Sequence, residues 1–154
     1  MKTHALADHQ QSIWTSYQRM RVRLAGRLNR ELARETGLSE ADFEILAHLA
    51  DAPGESLRAL ALRCGLEWEK SRLSHQLRRM EQRGLIVREA CVEDNRGAVV
   101  RVTEEGRRLA EEARVVHERA VQSYVFDALT SEQAAALGEI ADTILAGLEE
   151  EHRP

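Results

Sequence analysis

The stretch Trp68–Gly106, WEKSRLSHQLRRMEQRGLIVREACVEDNRGAVVRVTEEG, decides how the chain folds. Its first third reads as a helix. Leu73, Leu77 and Met80 recur at about 100° per residue and form a buried stripe, while Ser71, Arg72, His75, Arg78, Arg79 and Gln82 share the opposite face. Gly84 stops that helix, because glycine readily takes the left-handed conformation that closes a helix C-terminus. Leu85-Ile86-Val87 opens an extended run to about Val92, Glu93-Asp94-Asn95-Arg96-Gly97 has turn chemistry, and Val99-Val100-Arg101-Val102 returns. The segment is therefore a basic-faced helix followed by a β-hairpin.

On the N-terminal side, Ser56 is expected to cap a short helix with Leu57, Leu60 and Ala61 inward, and Gly65 to supply the sharp turn into the basic helix. Asp51-Ala52-Pro53-Gly54 breaks the helix before it. That helix starts at a capping box, Ser39 with Asp42, and carries Phe43, Leu46, Leu49 and Ala50 on one face. Earlier still, Ile13, Tyr17, Met20, Leu24, Leu28 and Leu32 stripe a long helix from about Gln11 to Arg34, closed by Gly37. On the C-terminal side, Thr103 begins a long helix with Leu109, Ala113, Val116, Ala120 and Tyr124 on one face. A second capping box, Thr130 with Gln133, precedes a last helix striped by Ala134, Leu137, Ile140, Ala141, Ile144 and Leu148. The expected fold class is mainly α with a small β-hairpin wing: a winged helix-turn-helix lobe at residues 39–106 plus a helical dimerisation region at residues 11–36 and 107–151, together one domain over residues 1–154.

Composition fits this reading. Of 154 residues, 43% are hydrophobic and 31% charged, which suits one soluble core. No run approaches the ~18 apolar residues of a spanning helix, and Met1–Gln11 lacks the apolar run of a signal peptide, so a cytoplasmic protein is expected. The net charge of −4 hides an uneven distribution: Leu57–Arg101 holds ten Lys/Arg against six Asp/Glu, a local +4, and the rest of the chain is −8. Distribution, not the sum, governs encounters with a polyanion.

The catalytic alternatives lack residues to carry them. Ser, His and Asp are present, but no G-x-S-x-G elbow, phosphate loop or H-E-x-x-H occurs, and 4% aromatic content offers little for a substrate cleft. Cys64 and Cys91 are read as small buried fillers, since they form neither a disulfide framework nor a C-x-x-C site. The six histidines contain no i, i+4 pair, so no metal and no cofactor is expected; a metal- or thiol-responsive sensor on the same scaffold is the alternative reading.

A short helix, a turn, a basic-faced helix and a hairpin in that order have a physical use. A helix fits the major groove of DNA, where base edges show a distinct donor and acceptor pattern, and its N-terminal residues reach deepest. Arg72 can pair bidentately with guanine, Ser71 and His75 can bond a base or a phosphate, and Arg78 and Arg79 are placed for phosphates. At the hairpin tip, Arg96 suits the narrow, electronegative minor groove, with Asp94 holding the turn or orienting it.

At these residues the chain resembles the multiple-antibiotic-resistance regulator (MarR) family. Glu93–Gly106 is similar to the family's wing signature, D-x-R followed by an apolar strand and T-x-x-G, with valine at Val102 where leucine is commoner. Lys70-Ser71, Leu73-Ser74, Leu77, Met80-Glu81 and Gly84-Leu85-Ile86 with Arg88 resemble its recognition-helix region. The resemblance implies a homodimer built from the first and last helices that binds an inverted-repeat operator. It implies repression until a small effector binds, and DNA contacts at Lys70, Ser71, Arg72, Ser74, His75, Arg78, Arg79, Asp94 and Arg96. It also implies an effector pocket between the DNA-binding lobe and the dimer helices, where Trp14, Tyr17 and His48 are candidates, although Trp14, Tyr17 and Trp68 are read first as packing residues.

Overall fold

A computed structural model describes residues 5–90 and 97–150. The elements in chain order are α1 (Asp8–Thr36), α2 (Glu40–Asp51), β1 (Ser56–Arg58), α3 (Ala59–Leu66), α4 (Lys70–Gln82), β2 (Ile86–Ala90), β3 (Ala98–Val102), α5 (Glu104–Tyr124) and α6 (Ser131–Glu150). They form two compact units, residues 1–117 and 118–154.

The core of the first unit draws one apolar stripe from each element. Leu32 is the only α1 residue fully buried, so the stripe begun at Ile13 enters the core only at its C-terminal end. Ile45, Leu46 and Leu49 of α2, Leu62 of α3, Leu73, Leu77 and Met80 of α4, Ile86, Val100 and Val102 of the strands, and Ala113 and Val116 of α5 complete it. The Ser39–Asp42 capping box is present in both directions: the Ser39 hydroxyl accepts from the Asp42 N–H at 3.1 Å, and the Asp42 carboxylate accepts from the Ser39 N–H at 2.9 Å.

Four expectations around α3 need correction. Ser56 does not cap a helix; it begins β1, which pairs antiparallel with β3, Leu57 opposite Val100, in a sheet of order β1-β3-β2. The free edge of β3 needs a partner for its backbone groups, and Ser56–Arg58 supplies it. The helix then starts at Ala59 and its phase shifts, so Leu62 faces the core, while Leu60 is 61% exposed and Ala61 lies outward. The same phase leaves Cys64 exposed, not buried; Cys91 lies outside the described residues. Nor is Gly65 the turn residue. It sits in the last turn of α3, and the left-handed step falls on Glu67 at φ 55°. Gly65 instead gives clearance: a Cβ there would stand 3.3 Å from the His48 ring of α2.

The wing and the start of α5 are locked to the end of α4. β2 and β3 pair with Ile86 opposite Val102 and Ala90 opposite Ala98. Thr103, just after β3, donates its hydroxyl to the Gly84 carbonyl at 2.6 Å, accepts from the Gly106 N–H at 3.0 Å, and donates its own N–H to the Leu85 carbonyl at 3.1 Å. The backbones approach so closely that a Cβ on Gly106 would lie 2.1 Å from the Leu85 carbonyl oxygen. This is the physical content of the T-x-x-G pattern.

The second unit holds the end of α5, a turn at Phe126–Ala128, and α6. The Thr130–Gln133 capping box is present in both directions, at 3.0 and 3.1 Å. Along α6, Leu137, Ile140, Ile144, Leu145 and Leu148 are all exposed, Ile140 at 56%.

Candidate nucleic-acid interface

α4 is divided sharply between two faces. Leu73, Gln76, Leu77 and Met80 are buried; Lys70, Ser71, Arg72, Ser74, His75, Arg78 and Arg79 are exposed. The side chains of Lys70, Ser71, Ser74, His75, Arg78 and Arg79 have no hydrogen-bond or ion-pair partner among the described residues. The helix N-terminus is also open. Glu69 at the cap makes no side-chain bond to it, and its first turn carries no acidic residue, so free N–H groups and the positive end of the helix dipole accompany Lys70.

Arg72 is the member of this face whose conformation is held. Its guanidinium carbon lies 3.9 Å from the centroid of the Trp68 ring, a cation–π contact. Trp68 packs against the core, as its reading as a packing residue anticipates. Glu44 of α2 is in electrostatic reach: burial pushes its carboxyl above the ordinary carboxylate value, Glu40 reinforces this, and Arg72 and His48 pull it back.

The orientation of α4 depends on one buried carboxylate. Asp42, 1% exposed, accepts from the Gln76 side-chain amide and, at 2.8 Å, from the Arg83 guanidinium, which also donates to the Gly37 carbonyl at 2.9 Å. The capping box signals Asp42 locally; its bonds to Gln76 and Arg83, 34 and 41 residues away, have no local signature.

Several cations counted in the basic segment are already engaged. Arg83 holds Asp42. Arg88 pairs with Glu81 at 3.1 Å and holds that carboxyl below its usual range, and Arg101 reaches the Gly54 carbonyl and Glu89. Among the described residues, the cations of the segment left for a polyanion are Lys70, Arg72, Arg78 and Arg79 on the outer face of α4, and Arg63 on α3. Asp94 and Arg96 lie outside the described residues.

The effector candidates do not gather. Trp14 and Tyr17 stack on each other along α1 with centroids 5.3 Å apart, and both are exposed. His48 bonds the Glu44 carbonyl through Nδ1 and lies over Gly65. A cleft of about 320 Å³ lies elsewhere in the first unit, with Phe43, Leu46, Ala47 and Ala110 among its walls and Glu55, Arg107 and Arg114 among its polar groups. Glu55 and Arg107 form an ion pair there, which holds the Glu55 carboxyl below its usual range. Phe43 also packs on the His117 ring at 5.0 Å.

An outward basic helix, a helix pair behind it and a three-stranded wing sheet define a winged helix-turn-helix protein of the DNA-binding kind. Residues 36–97 match the model of the MarR family. Over 96% of its length the chain is similar to Sco3205, a MarR family transcriptional regulator from Streptomyces coelicolor solved in complex with DNA, at 35% identity, covering 92% of that chain with a TM-score of 0.89. It is similar also to AbsC, a MarR family transcriptional regulator from the same organism, at 30% identity over 96% of this chain and 99% of that one, TM-score 0.87. The chain belongs to the MarR family of transcriptional regulators. The organohalide-sensing regulator RdhR in its 2,4-dichlorophenol-bound form shares the fold at 17% identity, covering 94% of this chain and 86% of that one, TM-score 0.78. No curated protein sequence matches the chain. Among the described residues, no helix is long and apolar enough to cross a membrane.

Proposed function

We propose that the protein is a cytoplasmic homodimer that binds an inverted-repeat operator in double-stranded DNA, represses nearby genes and is released by a small effector. The observation that carries this reading is the unpaired polar and cationic face of α4, turned outward on a helix whose other face is locked into the core. Arg72, Ser71 and His75 near its N-terminal end read base edges, Lys70, Ser74, Arg78 and Arg79 contact phosphates, and Arg96 with Asp94 places the wing in the minor groove. The DNA-bound state of Sco3205 supports the partner. The exposed apolar stripes of α1 and α6 support the dimer, because a monomer would leave both in water.

Effector release is supported by the cleft beside Phe43, whose apolar walls and ion-paired edge suit a small aromatic molecule, and by the dichlorophenol-bound form of a regulator with this fold. Selection from random duplexes tests the whole reading. The expected product is an inverted repeat with half-sites about one helical turn apart. Recovery of single unpaired motifs, or a stable monomer at micromolar concentration in sedimentation, would contradict it.

A further inference from the structure

Arginine is a costly way to read a base unless something fixes it, because a free side chain gives up about 2 kcal/mol of rotamer freedom when it docks. The Arg72 side chain makes no hydrogen bond and no ion pair among the described residues; the contact that holds it is the Trp68 ring. That ring is a rigid support. Trp68 is 9% exposed, packs with the core, and its backbone N–H donates to the Arg63 carbonyl at 3.2 Å. Stacking covers one face of a guanidinium and leaves its in-plane N–H fork free, which is the edge a bidentate base contact uses. Glu44, on α2, adds a favourable field without forming a bond.

We infer that Trp68 is a positioning residue for sequence discrimination: its indole holds the Arg72 guanidinium ready for a guanine edge, although Trp68 itself is too buried to be a principal DNA contact. The inference rests on the reading of Arg72 as a base contact. Its consequence is selective. Loss of the indole should weaken discrimination at the base pair that Arg72 reads, and leave phosphate contacts and their salt dependence as they were.

Operator duplexes selected by the wild-type protein, and the same duplexes with single base pairs changed, supply the test. Arg72→Ala first identifies the position where preference relaxes. Trp68→Met, which keeps apolar bulk but removes the ring, should lower discrimination at that position roughly 3- to 10-fold, with the salt slope unchanged. Trp68→Phe should lose less. In the Arg72→Ala background, Trp68→Met should change discrimination no further, as expected for two residues acting through one contact. Equal weakening on every duplex, or an unchanged ratio in a folded Trp68→Met protein, overturns the inference. If Trp68→Met does not fold, Trp68→Phe carries the test through the ring-current shift of the Arg72 δ-protons. That shift should shrink together with discrimination; a shift that stays at the wild-type value would overturn it. If Arg72→Ala relaxes no position at all, the base-contact reading fails and the positioning inference with it; relaxation by Arg72→Ala but not by either Trp68 variant overturns the positioning alone.

Discussion

α2 and α6 have the same kind of sequence and opposite surroundings. Each opens on a capping box and carries an apolar residue every three or four positions, yet Ile45, Leu46 and Leu49 are sealed from water, while Leu137, Ile140, Ile144 and Leu148 stand in it. Periodicity says that a helix has a face to bury. It does not say whether the cover comes from the same chain. In α2 the cover is visible as α3, α4 and the sheet, whereas for α6 and the first half of α1 the proposed cover is a second copy.

Substitutions on the two helices test that contrast directly. Leu46→Ala should cost about 2–5 kcal/mol in denaturant unfolding, since it opens a void in a sealed core. A loss under about 1 kcal/mol would show that the α2 face is less tightly covered than described. Gly106→Ala should cost about 1–3 kcal/mol, because the new Cβ runs into backbone, not into a side chain that can turn away. Ile140→Glu should leave the helix content unchanged and the fold within about 0.5 kcal/mol, yet convert the proposed dimer to monomer in sedimentation. A dimer that survives this change would place the cover of α6 elsewhere.

The smallest expected effect is a dependence on pH. Hydrogen bonds from Arg107 lower the folded-state pKa of Glu55, so the pair contributes stability above the ordinary carboxylate value of 4.5 and loses it as pH falls through the lowered value. Glu55→Gln should flatten the acid side of the stability curve slightly in thermal melts from pH 7 to pH 3; an unchanged curve would mean that the exposed pair contributes nothing measurable.

Much of this was legible from local pattern. The stripe of Leu73, Leu77 and Met80, and the polar set opposite it, fixed which face of α4 turns outward, because both are spaced within one helix. The two capping boxes were legible for the same reason. β1 was not: Ser56-Leu57-Arg58 is too short to alternate, and its partner strand lies more than forty residues away. Missing it moved the phase of the next helix, which put Leu60 and Ala61 on the wrong side; Cys64 was read as buried from cysteine usage alone, without reference to that phase. Glu67 escaped notice because a left-handed conformation on a non-glycine residue has no compositional signal, and the glycine two positions earlier drew the assignment. The Trp68–Arg72 stack was within reach, at four residues' separation across the start of α4, but a tryptophan at a helix entrance reads first as packing.

The lock around Thr103 also has a mechanical meaning. Two hydrogen bonds, both from Thr103, and a glycine-wide backbone approach at Gly106 join the first turn of α5 to the segment that ends α4 and begins the wing. Close-packed backbones transmit displacement and do not absorb it. A tilt of that first turn would therefore carry the end of α4 and the root of the hairpin with it, as a crank carries its shaft. Whatever shifts α5 would move the proposed DNA-contacting face of α4 without altering any residue on that face.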